Sequence, residues 1–214
     1  MEKQEKIKAA LMCVLIPAIL SGLYSSSLKF GLTYLDDNVW VLDYHWYLLN
    51  ISHWRQIFVQ HDMVSGVFYR PLINLSFLLN AVIDGQQLFG YRFFNLFLHV
   101  INSLFIFILF GKLKYGYRLS LAAALIFAVH PVLTQAVVWI PGRTDSLLGF
   151  FIFPAFIFFL SYMESGRRRD LIFQGTFLLG ALLTKESAVV FPLVCLVYAK
   201  FLKQESKQTP FTTP

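Results

Sequence analysis

Ionisable side chains occur in this sequence as short groups next to long apolar runs. Five such groups stand out: Asp36 with Asp37, Tyr69 with Arg70, His130, Arg143 with Asp145, and Lys185 with Glu186. A carboxylate can take a proton from an attacking hydroxyl group, and an arginine offers a planar fork of donors that fits a phosphate. These residue types therefore fit the transfer of a group from a substrate that carries a phosphate.

The same residues also have structural interpretations that the sequence leaves open. Asp36 and Asp37 could form a solvated turn that caps the next helix, and they are adjacent, so most backbones point them apart. Arg70 could simply extend its charged end from the membrane into water. Asp145 and Glu186 could neutralise the nearby cations, which would make the whole set a structural ion-pair cluster.

The composition indicates a membrane protein rather than a soluble one. Of the 214 residues, 57% are hydrophobic and only 14% are charged, whereas soluble domains carry roughly 25% charged residues. The 23 Phe and 10 Tyr exclude a disordered chain. We therefore expect an all-α fold, a polytopic transmembrane helical bundle.

The apolar runs predict about six spans, which form a single transmembrane domain over residues 1–203. The spans are expected at about 8–28, 87–111, 118–134, 145–163, 170–184 and 186–203. A long loop over about 29–85 is rich in aromatic residues, and the apolar side chains between Trp46 and Phe58 fall near helical spacing. This spacing suits helices that lie in the membrane interface. Residues 204–214 form a polar tail.

The distribution of Lys and Arg predicts the orientation in the membrane. With the N-terminus in the cytoplasm, twelve of the 18 basic residues fall on the cytoplasmic side and six on the other. All five polar groups then lie on the extracytoplasmic side, where ionisable residues close to hydrocarbon usually mark a functional site. Charges at this boundary disfavour a transporter, whose ionisable groups lie at the midplane. The basic residues lie between apolar runs and do not gather on one surface, which excludes nucleic acid as a partner.

Metal and cofactor sites are not indicated. Cys13 and Cys195 both lie in apolar runs, and the histidines lack the spacing of metal ligands. His130 precedes Pro131 and could mark only a helix end. We therefore expect no cofactor, although the sequence does not decide whether a divalent metal is needed.

Several short motifs occur in a fixed order over about residues 30–195. They are Tyr34-Leu35-Asp36-Asp37, Tyr69-Arg70-Pro71-Leu72, Gly90-Tyr91-Arg92-Phe93-Phe94-Asn95, Phe127-Ala128-Val129-His130-Pro131, Gly142-Arg143-Thr144-Asp145 and Leu183-Thr184-Lys185-Glu186. As an ordered set they resemble the membrane half of the O-mannosyltransferases that carry tetratricopeptide repeats, and of their bacterial relatives. Those enzymes are multi-span glycosyltransferases of the GT-C type.

The resemblance implies an inverting transfer of a sugar from a polyprenyl-phosphate donor to an acceptor hydroxyl outside the cytoplasm. It places the catalytic carboxylate at Asp36 or Asp37, and the sequence does not choose between them. The donor phosphate and sugar are expected near seven further residues. These are Tyr69, Arg70, His130, Arg143, Asp145, Lys185 and Glu186.

The chain is shorter than the family pattern, which has more spans and then a soluble repeat domain. We therefore expect an N-terminal fragment of a transferase, with a protein or glycan as acceptor and the lipid bilayer as its environment. The resemblance places it in a bacterial inner membrane or the endoplasmic reticulum. The alternative is a truncated, non-catalytic membrane protein that binds lipid or a partner subunit.

Overall fold

A computed structural model describes residues 14–61, 63 and 66–202, and every regular element within them is helical. The main helices are α1 (Val14–Lys29), α2 (Pro71–Asp84), α3 (Leu88–Lys112), α4 (Tyr117–Val129), α5 (Thr134–Val138), α6 (Arg143–Ser165), α7 (Arg168–Leu182) and α8 (Phe191–Val197). Four short helical turns join α1 to α2: Val39–Asp43, His45–Leu48, Ile51–His53 and Trp54–Ile57. Further short turns are Pro131–Leu133, Ile140–Gly142, Glu186–Val190 and Tyr198–Leu202.

Proline and glycine set several of the helix ends. Pro71 occupies the first turn of α2, where its missing N–H costs nothing. Gly166 follows α6 in the left-handed conformation, with φ of 65°, and its N–H bonds to the carbonyl of Tyr162. A side chain on Gly142 would collide with the carbonyl of Gln135, so glycine there lets the turn before α6 lie against α5.

Two helical stretches are long and apolar enough to cross a membrane, Leu88–Lys112 and Ile140–Ser165. A third results if Tyr117–Val129 and Pro131–Val138, which meet at 49°, form one span. The structure thus confirms an all-helical fold with membrane-type helices. The predicted count of six stays a prediction, because α7 and α8 are shorter. Residues 8–13 of the first predicted span, and the tail at 204–214, lie outside the described residues.

Helix α3 runs through the centre and contacts both α4 and α6. One face of α3 carries four buried polar residues at intervals of three and four, Arg92, Asn95, His99 and Asn102. Each bonds to a backbone carbonyl in the segment from α4 to α6; His99 Nε2, for example, lies 2.9 Å from the carbonyl oxygen of Ala128. Buried polar groups need such partners. This face of α3 therefore fixes the connections that lead into α6.

The segment between α1 and α2 packs over α2. The indole of Trp40 stacks on the ring of Phe77 with centroids 4.1 Å apart, and both side chains are buried. Leu48 and Ile57 belong to the same apolar cluster. The helical segments of this loop are short turns, and their location at the membrane interface stays a prediction.

Candidate functional site

A cavity of about 220 Å³ lies where the segment before α2 meets the start of α6 and the turn after α7. Its polar lining consists of Asp36, Arg70, Thr144, Asp145 and Lys185, and Trp40 and Trp139 contribute aromatic walls. We call this the polar cavity. Four residues expected from the sequence to form one site therefore do meet there, although they are spread from position 36 to position 185.

The two adjacent carboxylates have different environments. Asp37 is fully buried, and its Oδ2 accepts hydrogen bonds from the backbone N–H of Thr33 at 2.9 Å and from the Thr33 hydroxyl at 2.8 Å. Asp36 is partly exposed and lines the polar cavity. Asp37 therefore holds the turn from inside, whereas Asp36 faces the space that a substrate could enter.

Both cations of the polar cavity are paired with carboxylates. Arg70 makes a two-point contact with Glu186, with Nε 3.0 Å from Oε2 and Nη2 2.6 Å from Oε1. The Nζ of Lys185 lies 2.5 Å from Oδ1 of Asp145. The hydrogen bond from Arg70 lowers the pKa of Glu186 below its ordinary value, so this carboxylate stays ionised. These contacts are the ion pairs that the structural interpretation of the sequence anticipates.

Arg143 directly precedes two residues that line this cavity, Thr144 and Asp145, but its own side chain is completely buried. Its guanidinium donates to Asn95 Oδ1 at 2.9 Å, to the carbonyl of Ser76 at 3.1 Å and to the carbonyl of Tyr91 at 3.0 Å. It also lies over the ring of Phe77, 4.3 Å from its centroid. Because a helix turns by about 100° per residue, Arg143 faces α2 and α3 while the next two residues face the cavity. Arg143 thus joins three helices and does not line the cavity.

Tyr69 and His130 also lie outside the polar-cavity lining. The Tyr69 hydroxyl donates to the carbonyl of Phe58 at 2.8 Å, which ties down the preceding segment. His130 Nδ1 accepts from the N–H of Val132 at 3.2 Å and borders a separate, mostly apolar cavity between α3 and α4. The structure therefore gives both residues local hydrogen-bonding roles.

A further cavity, distinct from the one at His130 and of about 310 Å³, lies between α3, the α4–α5 bend and α6. Its lining is mostly apolar, including Phe127, Leu148 and Phe153, with Asn102 as a buried polar member. We call this the apolar cavity. Asp145 borders both cavities, so the polar and apolar spaces are neighbours.

Sequence reasoning did not identify Arg92, which is 1% exposed and holds three carbonyl oxygens. An available signal was its spacing, because an arginine three residues before Asn95 continues the polar face of an otherwise apolar helix. Trp40 and Trp139, which the sequence analysis also did not assign to the site, line the polar cavity. Among the described residues, no three potential metal ligands cluster together.

The fold and the polar cavity define a helical membrane protein with carboxylates and cations gathered beside an apolar space. Residues 71–212 match the family described as dolichyl-phosphate-mannose-protein mannosyltransferase, and the chain belongs to this family. The predicted resemblance to the membrane half of GT-C O-mannosyltransferases is thereby confirmed.

Similar proteins include Protein O-mannosyl-transferase TMTC1 from Mus musculus, 30% identical over 219 residues. That match covers 88% of this chain and 23% of the mouse protein. Protein O-mannosyl-transferase TMTC3 from Homo sapiens is 35% identical over 142 residues, which are 64% of this chain and 15% of the human protein. The chain thus spans less than a quarter of these relatives. No solved structure matches it.

Proposed function

We propose that this chain carries the front part of the site of a membrane glycosyltransferase that moves a sugar, mannose by family relationship, from a polyprenyl phosphate to an acceptor hydroxyl. The observation that supports this is the polar cavity, which Asp36, Arg70 and Lys185 line together and which shares Asp145 with the apolar cavity. A polyprenyl-phosphate sugar combines a polar head with an oily tail, which this pair of cavities suits. The acceptor is a protein or glycan, and the reaction lies on the extracytoplasmic side.

The reaction we assign to the polar cavity is a single inverting displacement. The acceptor oxygen forms a bond to the anomeric carbon as the bond from that carbon to the phosphate oxygen breaks. Asp36 takes the acceptor proton, and the electron pair leaves with the lipid phosphate. Arg70 and Lys185 would stabilise the charge that develops on this phosphate.

The existing ion pairs are compatible with this role for the two cations. A two-point contact between arginine and a carboxylate has the same geometry as one between arginine and a phosphate. Glu186 would then hold Arg70 in position before the donor binds, and Asp145 would do the same for Lys185. Arg143 would contribute by shaping the start of α6 rather than by touching the phosphate.

The membrane topology completes the proposal. Six spans with a cytoplasmic N-terminus would place the polar cavity at the outer boundary of the bilayer, where the donor head group lies. The short turns between Val39 and Ile57 would lie in the interface above it. A tag inserted at Arg168 should then be reachable only from the cytoplasmic side of sealed vesicles, and protection there would invert this arrangement.

A second function is favoured by a specific observation: both cavity cations already have carboxylate partners. The cluster could serve only to join α2, α6 and the turn after α7, in a non-catalytic protein that binds lipid or a partner subunit. In that case the ion pairs contribute stability and no turnover.

Transfer of radiolabelled mannose from polyprenyl phosphate, assayed with the full-length protein in membranes, separates the two functions. We expect Arg70→Gln and Lys185→Gln to lower transfer strongly, whereas Arg118→Gln, an exposed residue outside the cavity lining, leaves it unchanged. If the wild type transfers nothing while Arg70→Gln reduces thermal stability, the non-catalytic function is correct.

A further inference from the structure

We propose that Arg92 is a positioning residue that fixes the location of Asp36 relative to the Trp139 part of the polar-cavity lining. This inference rests on the proposed function for its kinetic consequence, but its structural part is tested independently below. Arg92 lies on α3 and does not line the polar cavity. Any effect on the reaction must therefore pass through the segments that it holds.

The guanidinium of Arg92 reaches two segments that are far apart in sequence. Its Nη1 donates to the carbonyl of Phe30 at 2.6 Å and its Nη2 to the carbonyl of Gly31 at 2.7 Å. Its Nε donates to the carbonyl of Val138 at 3.1 Å. One buried side chain thus binds both the stretch of backbone that leads to Asp36 and the segment that leads from Val138 to Trp139 in the cavity lining.

The backbone that leads to Asp36 needs such an anchor. Tyr34 has φ of 56°, a left-handed conformation that costs a residue with a Cβ about 1–3 kcal/mol. The turn is closed from inside by the bonds between Asp37 and Thr33, but those bonds are local and cannot fix the turn relative to the helices. The bonds from Arg92 to Phe30 and Gly31 make that connection.

The other segment held by Arg92 leads into a second part of the cavity lining. Val138 precedes Trp139, which lines the polar cavity, and Asn95 holds the carbonyl of Trp139 one turn further along α3 at 3.0 Å. Arg92 and Asn95 therefore set the distance between Asp36 and this part of the lining. Misplacement of a catalytic group by 1 Å can reduce turnover by about 10²-fold.

Limited trypsin digestion tests the anchoring without any activity assay. Lys29 is exposed and directly precedes the two carbonyls that Arg92 holds, so cleavage of the Lys29–Phe30 bond reports release of this segment. Cleavage after Arg55 and Arg118, both exposed, serves as the internal control. The experiment uses the full-length protein in detergent, with Arg92→Gln and the milder Arg92→Lys, which keeps the charge but loses the fork of donors.

We expect both variants to accelerate cleavage at Lys29 at least about fivefold relative to the two control sites. Equal acceleration at all three sites, in both variants, would mean that Arg92 maintains the whole fold, and this overturns the inference. Unchanged cleavage at Lys29 in a folded Arg92→Lys also overturns it.

The kinetic readout follows in the same preparations. We expect Arg92→Lys to lower kcat for transfer about 10- to 100-fold while KM for the donor changes less than about threefold, because the donor-binding cations keep their places. A rise in KM with unchanged kcat contradicts positioning of Asp36. If the wild type has no transferase activity, the proposed function fails, and the trypsin result alone decides whether Arg92 anchors the turn.

Discussion

Replacing Asp36 and Asp37 by asparagine, one at a time, tests which of the two is the catalytic carboxylate. Asp36→Asn keeps the shape of the side chain but removes its ability to take a proton. Because Asp36 faces the polar cavity, we expect kcat to fall about 10²- to 10⁴-fold, the usual contribution of a general base. This fall corresponds to about 3–5 kcal/mol of transition-state stabilisation.

Asp37→Asn should have a different and smaller effect. The asparagine retains an oxygen that can accept both bonds from Thr33, so the turn can still close. What is lost is the charge-assisted part of these bonds, about 1 kcal/mol, which lowers the melting temperature by about 2–4 °C in a chain of this size. We expect kcat to fall less than about tenfold, because Asp36 keeps its carboxylate.

The assay compares single-turnover transfer of labelled mannose with thermal unfolding in the same detergent preparations. The two variants should separate cleanly: Asp36→Asn loses activity at unchanged melting temperature, and Asp37→Asn loses stability at largely retained activity. If Asp36→Asn keeps full transfer while Asp37→Asn abolishes it, the buried carboxylate is the catalytic one and the assignment from cavity geometry is wrong.

Three further predictions concern the surroundings of the site. Arg143→Met should destabilise the protein by about 2–4 kcal/mol, because several buried acceptors lose their donor, and an unchanged unfolding temperature would contradict its role. Leu148→Trp should fill part of the apolar cavity and raise KM for the lipid donor about tenfold with kcat unchanged; an unaltered KM removes this cavity from the donor site. Glu186 has a lowered pKa in the folded protein, so its pairing with Arg70 stabilises the fold above the unfolded pKa, and this stabilisation is lost as the pH falls through the folded pKa. The difference in unfolding free energy between wild type and Glu186→Gln should therefore vanish in acid. A difference that stays constant with pH would refute the pairing.

The sequence predicted the convergence of the site better than the roles of its members. Asp36, Arg70, Asp145 and Lys185 were expected on one side of the membrane because of where apolar runs end, and the structure brings them to one cavity. Hydrophobic runs determine where a helix ends, and the ends of neighbouring helices meet. Side-chain direction around the helix is not contained in that pattern, and for this reason Arg143 was expected at the phosphate.

Arg92 shows a different limit of sequence reasoning. A basic residue near the predicted outer end of a span is normally interpreted as a side chain that extends its charge into water at the membrane interface. That interpretation does not predict that Arg92 binds backbone carbonyls. Only the folded structure reveals that Phe30, Gly31 and Val138 present their carbonyls to it. Likewise, Asp36 and Asp37 are equivalent in sequence, and only the inward bonds to Thr33 distinguish them.

The long-range ion pairs of the polar cavity have a consequence for biosynthesis. Arg70 and Glu186 are 116 residues apart, and the N–H of Leu72 also bonds to the carbonyl of Leu183. At about 5–20 residues per second, a ribosome needs roughly 6–23 seconds to make the intervening chain. During that interval Arg70 is already translated but lacks its partner, and Asp145 is made 40 residues before Lys185. The polar cavity can therefore close only after the turn following α7 has been delivered to the membrane, so insertion of α7 must precede assembly of the site.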